Sequence, residues 1–158
     1  MDQAIAFQDR IPDNHCFGCG NLNPNGLQIK SYWESDDTAI CEYQPLAFHA
    51  AGPVHLLNGG IIATVIDCHT VITAMAHAYR QAGREIGEGE LIWYVTGKLE
   101  VNYLAPAPID HPVVLRAAVE SFTAKKTVLN CELTSRGKPC ARAHVVAVRV
   151  PNDWFDNH

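Results

Sequence analysis

Apolar residues cover every face of the stretch 61–80. Ile61, Ile62, Val65, Ile66, Val71, Ile72, Ala74 and Met75 leave no polar stripe, and a helix apolar all round is a buried one. Asn58 supplies an N-cap ahead of it, with Gly59 and Gly60 in the first turn. The Ile, Val and Thr content disfavours helix slightly, so packing must hold it. Upstream, residues 27–34 and 38–44 predict two strands joined by the turn Ser35-Asp36-Asp37, and residues 45–58 an irregular approach to the helix. Downstream, the polar, Gly-rich stretch 81–90 is a loop. Four strands are predicted beyond it, at 91–104, 113–123, 128–135 and 140–150, with Lys125-Lys126 and Arg136-Gly137-Lys138 at turns. Leu99, Val101 and Tyr103 alternate with Lys98, Glu100 and Asn102, the period of a strand. A hairpin, one long helix and consecutive antiparallel strands make an α+β layout in which the sheet wraps the helix. Sheet edges left open after one such wrap favour pairing between subunits.

Composition narrows this without changing it. The 158 residues, 47% apolar and 18% charged, are those of one globular domain, taken as residues 1–158 with an irregular N-terminal segment over 1–26. A net charge of −5 argues against nucleic acid or an anionic membrane as the main partner. Residues 61–78 approach the length of a membrane span. They hold Asp67, His69 and His77, however, and a charge at bilayer depth costs several kcal/mol, so a core helix is expected and no membrane partner. Residues 1–10 carry no basic start and no long apolar run. With six cysteines, too sparse for a disulfide scaffold, this predicts a reducing, cytoplasmic location. Cys16-x-x-Cys19 has no second C-x-x-C and no H-x3-H to complete four ligands, so no metal site is expected.

Three motifs carry a resemblance. Asn58-Gly59-Gly60 followed after six residues by Asp67 is similar to the His-Gly-Gly-x6-Asp pattern of hotdog-fold acyl-CoA thioesterases. Cys16-Phe17-Gly18-Cys19-Gly20, leading into Asn23-Pro24-Asn25-Gly26-Leu27, resembles an N-terminal segment of their PaaI-like branch. Val101-Asn102-Tyr103-Leu104-Ala105-Pro106-Ala107 looks like the strand ending in Tyr-x-x-Pro-Ala. The resemblance implies a hotdog fold, one long buried helix wrapped by five to six antiparallel strands, and hydrolysis of acyl-CoA to free acid and CoA. It implies a homodimer or homotetramer and no cofactor other than the CoA carried by the substrate. It also treats the C-x-x-C pair as structural.

The chemistry follows from the residues. Unpaired N–H groups of Gly59 and Gly60 at a helix N-terminus make an oxyanion site that an acyl carbonyl can approach closely. Asp67 is the only charged side chain between Gly60 and His77. A lone carboxylate in an apolar helix must be paired, neutralised or facing a wet cleft. The resemblance makes it the general base or nucleophile, acting across a subunit interface. Asp67 lies about two turns along the helix, too far to share its own helix's donors, so the partner subunit is expected to supply them. Asn58 stands where the family has His; it can cap or donate a hydrogen bond but cannot give a proton as imidazolium does. His49 and His55, just upstream, are candidates to compensate by contacting substrate, as well as ordinary loop histidines. Thr96 matches the family's water-orienting hydroxyl, and Thr70 is placed either to bond the Asp67 carboxylate or to back-bond to the helix. Cys68 points about 100° round the helix from Asp67 and is not proposed as a nucleophile. Lys98, Lys125, Lys126, Arg136, Lys138 and Arg142 are candidates for CoA phosphates. A non-catalytic ligand binder is the main competing reading. A hotdog hydratase is less favoured, because no His–acid pair stands at the helix start.

Overall fold

The computed structural model describes residues 4–158; residues 1–3 of the expected N-terminal segment lie outside them. Six strands form one antiparallel sheet: β1 (Ser31–Trp33), β2 (Thr38–Tyr43), β3 (Trp93–Tyr103), β4 (Val113–Phe122), β5 (Lys126–Ser135) and β6 (Lys138–Val150). Their spatial order is β1-β2-β4-β5-β6-β3, so β1 and β3 are the edges. The single α-helix among the described residues, α1 (Gly59–Gln81), packs across the inner face of this sheet. This is the hotdog arrangement expected from the motifs.

Alternation in the strands decides which face meets the helix. In β5, Leu129, Cys131 and Leu133 point inward, and Asn130 points outward. Leu115 of β4 and Val145 of β6 join them, against Val65 and Ile66 of α1, all with no exposed surface. Burying each such side chain contributes about 1.5–3 kcal/mol. By length and composition α1 could cross a membrane, with a mean hydropathy of 1.5 over 18 residues, but 61% of that window is buried inside the protein. It is the core helix.

The first strand is shorter than predicted. Leu27 and Ile29 are buried as the apolar pattern requires, yet their N–H groups donate to Phe17 and Gly18 carbonyls at 2.8 and 3.2 Å instead of to a strand. Gln28 between them has φ of 53°, which breaks the pleat. The Cys16–Gly20 loop therefore takes the backbone bonds that a longer β1 would have used. Gly18 sits so close to α1 that a Cβ there would fall 2.3 Å from Cys68 Sγ, so only glycine lets the loop lie flat on the helix.

A buried polar chain ties the N-terminal segment to the core. Gln8 Nε2 donates to Ser31 Oγ at 2.9 Å, and Ser31 Oγ lies 2.8 Å from His69 Nδ1. His69 Nε2 lies 3.1 Å from the Ala39 carbonyl, which can only accept. Nε2 therefore carries the hydrogen, and Nδ1 accepts from Ser31. Every partner is matched to a neutral imidazole, and burial holds His69 down to about 4 from 6.5. Above pH 6.5 the ring is neutral in folded and unfolded chains alike. Between 6.5 and about 4 the unfolded chain takes up the proton first, so stability falls there by about 3 kcal/mol. Burial lowers His49 and His77 as well, with the same sign. Urea midpoints should drop from pH 7 to pH 4.5 in the native protein and less steeply in His69→Gln; an unchanged slope in that variant would contradict this account.

Candidate active site

Asn58 caps α1 as its position predicts. Its Oδ1 accepts from the N–H groups of Gly60 and Ile61 at 2.7 and 3.2 Å. This changes the expected oxyanion site: the Gly60 N–H is taken up by the cap, because an N-cap side chain bonds the second and third N–H groups of its helix. Among the described residues the Gly59 N–H has no partner, while its carbonyl accepts from Tyr103 Oη at 2.6 Å. One donor remains rather than two.

Asp67 lies on the half-buried side of α1, where Oδ1 accepts from Thr96 Oγ1 at 2.6 Å. Thr96 reaches it because β3 bulges between Thr96 and Lys98. Gly97 fills the bulge, and a Cβ there would meet Val148 Cγ2 at 2.6 Å. The pair lines a cavity of about 270 Å³ with Val71, Ile72, Met75 and Trp93 among its walls. Burial pushes the Asp67 carboxyl up from its ordinary value, the Thr96 hydroxyl pulls it down, and charge on Cys16 pushes it up again. Desolvation makes a carboxylate a stronger base than it is in water, and a hydrogen bond to its charged form offsets part of that. Removing the hydroxyl in Thr96→Val should move the acid limb of any rate profile to higher pH, because the one influence favouring the ionised form is lost. An unmoved limb would mean that Thr96 does not touch the group that titrates.

The two halves of the site are apart in one chain. Eight residues of helix, about 12 Å of rise, separate Gly59 from Asp67, and Gly59 borders a different hollow with Tyr103, Leu104 and Pro106.

Other candidates are placed elsewhere. His49 is buried, and its Nδ1 accepts from Leu46 N–H at 3.1 Å and lies 3.2 Å from Tyr43 Oη. It braces the loop before the helix and does not line the Asp67 cavity. His55 is exposed and also outside that cavity. Thr70 is fully buried and donates to the Ile66 and Asp67 carbonyls at 2.9 and 3.0 Å; it back-bonds to the helix and does not reach the carboxylate. Of the basic residues, Lys98 pairs with Glu100 and Arg142 with Glu132, each at 2.8 Å. Lys125, Lys126, Arg136 and Lys138 are exposed on turns or strand ends.

Sequence spacing missed one grouping. Cys68 Sγ lies 3.6 Å from Cys16 Sγ, and the sulfurs of Cys16, Cys19 and Cys68 all fall within 4.8 Å of one another. All three residues line the Asp67 cavity. Either thiol of the Cys16–Cys68 contact can donate, and the Cys68 thiol is pushed far above the usual range by its cysteine neighbours and by burial. That fits its exclusion as a nucleophile.

The fold and this site define a class. Residues 55–141 match the family model described as the thioesterase superfamily, and the chain belongs to that superfamily. A thioesterase superfamily protein from Shewanella loihica is 33% identical, with a TM-score of 0.64 over 78% of this chain and 91% of its own. A putative thioesterase from Ralstonia eutropha, described as phenylacetic acid degradation-related, is 20% identical with a TM-score of 0.62 over 77% and 85%. A hypothetical thioesterase from Streptococcus pneumoniae, solved with coenzyme A, is 12% identical with a TM-score of 0.63 over 77% and 85%. No curated protein matches the chain. Membership of the superfamily supports a thioesterase-type function.

Proposed function

We propose that this chain hydrolyses acyl-CoA thioesters as a homo-oligomer, with Asp67 of one subunit and the Gly59 N–H of a second completing each site. The observation that carries this reading is the isolated, half-buried Asp67 carboxylate held by Thr96 in an apolar cavity. A core helix gains nothing from such a group. The free Gly59 N–H is about 12 Å away along the same helix, so a second copy must bring that donor to it. The edge strand β3 supports this pairing. Among the described residues β3 pairs only with β6, and Thr96 through Glu100 are exposed along it; a long open edge is a template for another strand.

In this arrangement Thr96 and Asp67 hold one water. Asp67 takes its proton as the oxygen attacks the acyl carbonyl carbon. The resulting oxyanion meets the Gly59 N–H, and collapse expels the CoA thiolate. A thiol is far more acidic than an alcohol or an amine, so the thiolate leaves without needing a strong acid. Asn58 in place of His therefore does not forbid hydrolysis. The CoA moiety of the Streptococcus neighbour and the PaaI-like motifs support CoA as the carrier.

The test is release of free CoA thiol from short, medium and aromatic acyl-CoAs. Turnover that rises with the ionisation of Asp67 supports the proposal. Saturable binding of acyl-CoA without turnover across the panel would contradict it and favour a non-catalytic binder, whose Asn58 serves only as a cap.

A further inference from the structure

We propose that Cys16, Cys19 and Cys68 form a binding site for one thiophilic metal ion of the zinc class, clamping the N-terminal loop onto α1 beside Asp67. Three sulfurs from two distant parts of the chain converge here, with Cys16 and Cys68 at 3.6 Å and the whole set within 4.8 Å. A tetrahedral ion with zinc–sulfur bonds of about 2.3 Å needs sulfurs about 3.8 Å apart. The 3.6 Å between Cys16 and Cys68 is close to that demand and far longer than the about 2.05 Å of a disulfide.

The surroundings are those of thiolate ligands. Asn14 Nδ2 points at Cys19 Sγ from 3.7 Å, and the same side chain accepts from the Cys16 N–H at 3.1 Å. Donors to sulfur orient soft ligands and spread their charge. Gly18 permits the contact, since any larger residue would hold the loop off Cys68. The other three cysteines, Cys41, Cys131 and Cys140, are buried among apolar side chains and belong to no such cluster among the described residues. Three protein ligands leave a fourth tetrahedral position, and all three cysteines line the cavity that holds Asp67.

The ion would also account for the short first strand. Leu27 and Ile29 give their backbone N–H groups to Phe17 and Gly18 of the cysteine loop rather than to the sheet, and a metal crosslink between positions 16, 19 and 68 would stabilise that choice. This inference does not depend on whether Asp67 turns over thioesters.

The test uses the full chain, purified under reducing conditions, stripped with a chelator and titrated with Co²⁺. One equivalent per chain should give a thiolate-to-cobalt charge-transfer band and the intense visible bands of tetrahedral cobalt, and Zn²⁺ should displace them. Cys16→Ser and Cys68→Ser should each lose the band, and Cys140→Ser should keep it. Cys16 is exposed, so its variant carries the test if Cys68→Ser fails to fold. No band with all thiols free would overturn the proposal. So would a band that survives loss of either cysteine, or a Cys16–Cys68 disulfide in the reduced preparation.

Discussion

Asp67→Asn is expected to lower turnover of acyl-CoA by about 10²–10⁴-fold, the range for loss of a positioned general base, while the protein stays folded. The reasons lie in the local contacts. An amide oxygen at the same place still accepts from Thr96 Oγ1, whose bond to Asp67 is 2.6 Å, so the cavity keeps its shape. The carboxyl of Asp67 is pushed up by burial, so folding works against its charged form. Its removal should leave stability at neutral pH unchanged or higher. The combination is diagnostic: a thermal midpoint that does not fall with a rate that collapses. Unchanged turnover, or a variant inactive only because it unfolds, would remove Asp67 from the centre of the mechanism.

Gly59→Pro should be nearly as costly, about 10²–10³-fold, the effect of deleting one oxyanion donor. Proline suits the first position of a helix, where its fixed φ is already helical and its missing N–H has no intrahelical partner. Asn58 before it is extended, with φ −62° and ψ 133°, the conformation that a residue preceding proline prefers. A Cβ at position 59 would lie 3.5 Å from the Tyr103 ring, an ordinary contact. The substitution therefore removes one N–H group and little else. Circular dichroism and kcat measured on the same preparation separate the two effects. Retained activity would show that the oxyanion is held by another donor.

Much of this was legible in the chain. The apolar run and Asn58 placed α1 to within a residue or two of Gly59–Gln81, because continuous burial and a strong cap are both local signals. The four later strands were read with small errors at their ends, since period-2 alternation is local too. The resemblance singles out Thr96 as a water-orienting hydroxyl, and the bulge that brings it to Asp67 is invisible in sequence. What failed was what depends on tertiary partners. The first strand lost residues 27–30 because Gln28 turns to positive φ and the cysteine loop captures its neighbours. Gly60 is not a free donor, because the asparagine that caps the helix takes up its N–H, a conflict already implicit in the cap. The third cysteine is not legible along the sequence, because Cys68 is 52 residues from Cys16. Only the fold lays the Cys16–Gly20 loop against α1 beside Cys68.

The composite site is the centre of this account, and mixing two inactive variants tests it most directly. Asp67→Asn and Gly59→Pro proteins, each nearly silent, are unfolded together, refolded and assayed. If Asp67 and Gly59 act from different subunits of a two-fold dimer, half of the assemblies are mixed and each holds one intact site, restoring about one quarter of native activity. If both residues serve the same subunit's site, every site in every assembly carries a lesion. Activity would then stay at the level of the separate variants, and the composite site would be wrong.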